Sequence, residues 1–442
     1  MRKKVFIAAA IILWLLFSFI AVLRYRQYSS YQVPVHRSAQ TIIKVNVDDF
    51  IEMFISNYGF NFKKKIAKKE TNNKEPSLNT GIWIPGNVFV YNLSNLKYNT
   101  LFCTIPVFNQ QEFILYAQKK WKLQWIKSEG IFYASNTAGT VTIACNNDHI
   151  SMAWSPAKEK VQPFLKEILN SKNLSEQKRS IVDRFKKVNM PLVAINGHEI
   201  VSAKLEGKNL LLHASVDSIP GIRLPATYLQ KTPASNTHSS ISLNGTLATS
   251  LFKKEYFIKQ TKITTDSILK YLQGYLSLEI SPGSLQKDSI TSYEYDDNFE
   301  KIARLTITEV QVPSLQLTVK AAAGLLPYLQ QQQIVTMGMK LNRELFPLYE
   351  VDVEQHNQIL HFSTGTKSFD RSITTTPHFF AMQVDVQKTN AQLNLPFLNA
   401  YLQNILELKL TGNRSQGKII FDGKVLFRGS ALQELVQLSK LL

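Results

Sequence analysis

Cysteine is scarce in this chain: two residues in 442. One pair cannot staple a protein of this length, so a disulfide-built scaffold is excluded. No G-x-x-x-x-G-K-[ST] loop and no G-x-G-x-x-G turn occurs, so nothing cradles the phosphates of a nucleotide or dinucleotide. The single His-Glu pair, His198-Glu199, has Ser202 where H-E-x-x-H would need a second histidine. The other histidines are scattered; His356 and His361 are close in sequence but fall near two different strand faces. There is no G-x-S-x-G elbow. Acidic residues are also short, 33 against 51 basic, for a net charge of +18. Their one cluster, Glu294, Asp296, Asp297 and Glu300, lacks the glycine and the distal glutamate of a calcium loop and reads as a solvated hairpin end. No cofactor, no metal and no assigned catalytic residue is therefore expected.

What the chain does have is one long apolar run. Val5 to Leu23 is apolar except for Ser18, with Arg2, Lys3 and Lys4 before it and Arg24 and Arg26 after it. As a helix it would span about 28 Å, close to a bilayer core. No A-x-A-like cleavage site follows Ala21, so the run reads as an uncleaved anchor. The basic tail reads as cytoplasmic. These features predict a single-pass protein of a cell (inner) membrane. Residues 1–4 form the tail, 5–23 the transmembrane helix and 24–40 a juxtamembrane tether, with the remainder periplasmic or extracellular.

Beyond residue 40 the patterning is α+β. The spacing predicts two antiparallel-sheet domains with packed helices, at 41–217 and 239–442. A linker at 218–238 contains Pro220, Gly221, Pro225 and Pro233. Asn109 followed by Glu112 marks a helix start. Trp121, Leu123, Trp125, Ile131, Tyr133, Val141, Ile143, Cys145, Ile150, Met152 and Trp154 alternate with polar residues between regular turns. That is the period of a meander with one buried face, and it places the tryptophans on that face. Lys158 to Lys187 reads as helix, broken near Asn170 to Asn173. In the second domain, Tyr275–Ile280, Ser289–Tyr295, Ala303–Val310 and Ser314–Val319 read as separate strands. The segment Ile42 to Asp48 echoes Phe379 to Val386, each a strand leading into a helix, as a duplicated unit would produce.

Three residue sets are candidates for chemistry or contact. Lys63, Lys64, Lys65, Lys68, Lys69 and Lys74 form the densest basic cluster. It has no interleaved aromatics for stacking bases, so nucleic acid is not the expected partner. An anionic surface is, such as lipid headgroups. Cys103 and Cys145 both fall in strands and could pair in an oxidising compartment. Ser155 and Lys158 supply a serine–lysine spacing in which the lysine could serve as base. Ser267 and Lys270 repeat that spacing in a more apolar setting, and no K-T-G element accompanies either.

The short basic tail, the apolar helix, the repeated α+β units, the strand end Tyr293 to Glu300 and the closing strand Lys418 to Phe427 with its following helix give a layout. It resembles single-anchor envelope proteins of two-membrane bacteria whose function is unknown. That resemblance assigns no site residues. The expectation is a membrane-tethered, non-enzymatic envelope protein, serving as a binding or scaffold surface for another envelope protein or for anionic lipid. The alternatives are a lipid or amphiphile binding or transfer protein, and an enzyme on a cell-envelope polymer using Ser155 and Lys158.

Overall fold

A computed structural model describes residues 14, 17, 21–58, 79–170, 183–188, 190–258, 261–295, 299–365, 373–393 and 399–438. The chain divides into two compact units, Met1–Lys204 and Leu205–Leu442.

The first unit contains β1 (Ala39–Asn46), α1 (Val47–Tyr58), β2 (Asn87–Leu93), β3 (Leu101–Pro106), α2 (Gln110–Trp121), β4 (Ile126–Ser128), β5 (Ile131–Ser135), β6 (Val141–Cys145), β7 (His149–Trp154), α3 (Gln162–Asn170), β8 (Leu192–Asn196) and β9 (Glu199–Glu206). Its strands form an antiparallel sheet in the order β9-β8-β1-β2-β3-β7-β6-β5-β4. Alternation sends Phe89, Tyr91, Leu93 and Phe102 inward, where they pack with Leu165 and Ile168 of α3 and with Phe185. Asn109 starts α2 as its spacing predicts, accepting from the N–H groups of Gln111 and Glu112. The Lys44 ammonium is buried and donates to the Phe185 and Val188 carbonyls at 3.2 Å each. Those carbonyls end helical residues 183–187, where a cation opposes the helix dipole. Burial lowers the Lys44 pKa.

The second unit contains β10 (Asn209–Val216), β11 (Ile222–Arg223), β12 (Tyr228–Lys231), β13 (Ser239–Asn244), β14 (Thr246–Leu247), β15 (Glu255–Ile258), β16 (Thr261–Thr264), α4 (Thr265–Leu269), β17 (Leu272–Tyr295), β18 (Lys301–Ala321), α5 (Leu325–Gln331), β19 (Asp352–His356), β20 (Ile359–Ser363), β21 (Ile373–Thr376), β22 (His378–Asp385), α6 (Val386–Leu393), α7 (Asn399–Leu402), β23 (Ile405–Ser415), β24 (Lys418–Phe427) and α8 (Ala431–Leu438). Its main sheet is antiparallel in the order β10-β24-β23-β22-β13-β17-β18-β20-β19. Three two-stranded sheets accompany it: β11-β14, β12-β21 and β15-β16. Val319, Ala321 and Leu360 of the main sheet pack under Leu325 and Leu329 of α5.

One arrangement occurs three times: a strand, a helix, two further strands beside the first, then a helix. It comprises β1-α1-β2-β3-α2, β13-α4-β17-β18-α5 and β22-α6-β23-β24-α8, the second with β14, β15 and β16 inserted before its helix and the last with α7 inserted. The echo between Ile42 to Asp48 and Phe379 to Val386 falls on the opening strand of the first and third. The recurrence is thus threefold, and two copies lie in one unit, joined through β13 and β22.

Several expectations are corrected. Among the described residues no helix is long and apolar enough to cross a membrane. Most of Val5 to Leu23 lies outside the described residues. The described helices therefore do not support the transmembrane part of the expected fold or the single-pass membrane placement. Residues 24–40 are not a loose tether: residues 21–30 are helical and docked. Arg26 pairs with Asp48 at 3.0 Å, Ser30 accepts from Asn87 at 2.9 Å, and Val33 is buried. The described residues are 48% strand and 22% helix, so sheet rather than packed helix dominates. The stretch read as helix from Lys158 begins only at Gln162, because Lys158 sits in a left-handed turn. The Pro/Gly stretch at 218–238 lies inside the second unit, as β11 and β12. Trp121 and Trp154 are exposed, ending α2 and β7 respectively, while Trp125 packs against the core.

Phe102 is fully enclosed and Tyr98, four residues earlier, is 84% exposed. Phe102→Ala is expected to lower unfolding stability by about 3–5 kcal/mol. Tyr98→Ala should change it by about 0.5 kcal/mol or less, both read from urea melts.

Candidate functional site

The basic cluster at Lys63, Lys64, Lys65, Lys68, Lys69 and Lys74 lies outside the described residues. Cys103 and Cys145 are both free. Cys103 faces Met152 and Cys145 faces Ile150, with β7 between their strands. Two interstrand steps of about 4.8 Å put their Cα atoms roughly 10 Å or more apart, beyond disulfide reach. Burial pushes the thiols up to about 11 at Cys103 and about 12 at Cys145.

Ser155 and Lys158 are close in sequence but do not form a helical turn. The Lys158 N–H donates to the Ser155 carbonyl at 2.9 Å, closing a turn after β7. The Ser155 hydroxyl is buried, 3.0 Å from the Thr100 hydroxyl, and accepts from the Glu159 N–H at 3.0 Å. Thr100 also donates to the Glu159 carboxylate. These contacts fasten the loop after β7 to the start of β3. His361 is buried with its Nδ1 2.9 Å from the Thr318 hydroxyl. No group of three metal-ligating side chains gathers among the described residues.

Two features of the second unit were not anticipated. The first is a buried polar sheet face. Alternation along β17 predicts that Leu276, Leu278 and Ile280 are covered and that Ser277 and Glu279 are wet. The structure reverses this: Tyr275, Ser277 and Glu279 are buried and the aliphatic residues are half-buried. The cause is β12, which packs against β13, β17 and β22. Lys231, its last residue, pairs with Glu279 at 3.3 Å, the two side chains 5% and 3% exposed. The Lys231 ammonium also donates to Gln316 at 3.2 Å, and its backbone N–H to the Tyr275 phenol at 2.8 Å. Burial raises the Tyr275 pKa. A cavity of about 300 Å³ opens beside this pair, lined by Ser240, Ser242, Ser277 and Gln383 among others.

The second feature is an arm. From Ser284 to Tyr295 and from Lys301 to Val312, β17 and β18 pair with each other and with no other described strand. Twelve residues of strand extend about 40 Å. A bulge between Ser281 and Ser284 lets the strand pass through Pro282-Gly283, which reads as a turn in the sequence. At the arm's base, Gln286 donates to the carbonyls of Glu350 and Thr364 at 2.7 Å and accepts from the Glu350 N–H at 3.0 Å. Cross-strand register places Leu285, Tyr293, Ala303, Leu305 and Ile307 on one face. Leu285, Tyr293, Leu305 and Ile307 are 68, 56, 63 and 65% exposed. Lys301 stands 4.1 Å from the Tyr293 ring centre. The other face carries Arg304 bonded to Glu294 at 3.0 Å and Asp288 paired with Arg343 at 3.4 Å.

No protein-family model matches the chain, and neither does any curated protein. Among solved structures it is similar to crystal form III of TP0453, at 11% identity over 77% of this chain and 94% of that one, with a TM-score of 0.22. Crystal form I of TP0453 matches at 9% identity over 75% and 90%, with a TM-score of 0.20. Likenesses at this level carry no argument about fold or function.

Neither thiol is expected to react with iodoacetamide in the folded protein at pH 8, whereas both should be alkylated in urea. Lys231→Met or Glu279→Gln alone should cost about 3–5 kcal/mol, because each strands a buried partner. The double variant Lys231→Met/Glu279→Leu should recover most of that loss in denaturant melts.

Proposed function

We propose that this protein is a non-enzymatic binding or scaffold module that engages a protein partner through the β17–β18 arm. The arm's composition carries the reading. A lone two-stranded ribbon is marginal in water, and this one holds four large apolar side chains in solvent on a single face. Both its edges lie outside the sheet's hydrogen bonding among the described residues, leaving backbone groups available for strand addition.

The alternatives have less behind them. An amphiphile carrier needs a hydrocarbon-lined cavity, yet the 300 Å³ cavity has the Lys231 ammonium and Glu279 carboxylate in its mixed lining, and another of about 440 Å³ has His238, Gln311, Lys388 and Gln392 in its own. An acyl-enzyme needs an accessible serine beside a base, yet the Ser155 hydroxyl is buried in a hydrogen-bonded loop.

The test is a photo-crosslinking amino acid at Leu305 or Ile307, introduced in the cells that make the protein. Met337 is the control, 84% exposed and outside the arm. Discrete adducts of higher mass are expected from the two arm positions and none from Met337. Absence of any adduct at both arm positions would overturn the reading.

A further inference from the structure

We infer that the arm's partner is a second copy of this chain, paired antiparallel along the free edge of β18 about a two-fold axis at Leu305. The inference rests on the reading of the arm as a contact surface and names what covers it.

The backbone of β18 fixes which residues can pair. Beyond the arm, the Leu315 carbonyl accepts from the Thr364 N–H at 3.1 Å, and the Ala321 N–H donates to the Gln358 carbonyl at 2.8 Å. Odd-numbered residues of β18 therefore turn their backbone groups toward the edge facing away from β17. Strand alternation carries this outward to Glu309, Ile307, Leu305, Ala303 and Lys301. None of the five is proline, so each keeps its backbone N–H as well as its carbonyl. Five consecutive outward-facing residues thus offer both donor and acceptor to an incoming strand.

Register follows from symmetry and charge. Identical strands paired about a two-fold keep their apolar faces together only if opposed residues have the same parity. An axis at Leu305 sets Leu305 against its own copy, Ala303 against the second copy's Ile307, and Lys301 against the second copy's Glu309. Both opposite-charge pairs form at once, at the two ends of an apolar centre. Moving the axis one residue, to Thr306, sets Glu309 against Ala303 and Lys301 against Gln311, and both charge pairs are lost. The segment from Lys301 to Glu309 is thus complementary to itself in one register. The product is a four-stranded sheet, above the strand number at which a sheet becomes independently stable. Its exposed Leu305 and Ile307 side chains become neighbours across the joint.

The contact is small, about nine residues a side, so the dissociation constant is expected on the order of micromolar. Sedimentation equilibrium of the full chain should show a concentration-dependent rise from the 50.3 kDa monomer toward a dimer. Lys301→Glu and Glu309→Lys each convert both attractive pairs into repulsive ones and should raise the dissociation constant about tenfold or more. The swap Lys301→Glu/Glu309→Lys should restore it. Leu305→Cys should form a covalent dimer on oxidation, since paired Cα atoms about 5.5 Å apart suit a disulfide. A wild-type monomer at 100 times micromolar, or a charge swap that fails to restore the dimer, overturns the second copy as partner. If Leu305 still gives a photo-adduct of another mass in cells, the arm remains a contact surface and only the self-pairing falls. If it gives none, both fall.

Discussion

The hydrogen-bonded pairing of β17 with β18 is the constraint on which the second unit depends. It runs without a break from the core to the tip of the arm, with the bulge at Ser281 to Ser284 absorbing the irregularity. Backbone groups along both strands are satisfied by each other, so the ribbon can leave the sheet with one edge of each strand already paired. Inside the sheet, the same two strands hold β13 and β20 on their outer edges. Outside it, those outer edges have no described strand to pair with. One continuous structural element therefore supplies both the middle of a sheet and an open template.

Burial of the polar face makes that element rigid at its root. Glu279 and Gln316 lie within reach of one lysine from β12, and the three side chains answer one another at 3.3 and 3.2 Å. A charge removed from water at that depth is costly unless its partner is present. The pair therefore selects one placement of β12 across β13, β17 and β22. Gln286, bonded to the backbone at Glu350 and Thr364, fixes the direction in which the arm departs. Both devices use polar side chains with several bonding groups, which set geometry more narrowly than aliphatic packing does.

Local signals in the sequence located much of the first unit. Asn109 and its N–H partners mark α2, and period-2 alternation marks β5 to β7, because in both cases the information lies within a few residues. Features decided by distant residues were not legible. Residues 24–40 look like a polar tether, and only the positions of Asp48 and Asn87 show that they dock. Leu276 to Ile280 look like a strand with a wet polar face, and only β12, more than forty residues earlier, inverts that expectation. Pro282-Gly283 looks like a turn, yet a bulge costs the strand one unpaired residue and lets it continue. The apolar run at the N-terminus satisfies a length rule that the described helices do not meet. The candidate site was missed for the same reason: the arm exists because its two strands outrun every neighbour, and a strand's neighbours are not written in its own sequence.

Natural sheets guard free edges with charge, proline or short strands. The outer edge of β18 bears Pro313 just below the arm, its carbonyl taken by the Thr364 hydroxyl, where strand addition would otherwise reach the sheet. Farther out it has Lys301 and Glu309 around Ala303, Leu305 and Ile307. A guard works when an incoming strand brings a like charge or leaves the charge unpaired. Two charges of one sign at these positions would repel a second copy in the register centred on Leu305. Charges of opposite sign, equally distant from Leu305, repel in no symmetric pairing centred there and attract in both halves of it. The edge is therefore closed toward most strands, which would leave Lys301 or Glu309 opposed to an apolar residue, and open toward one with the same sequence.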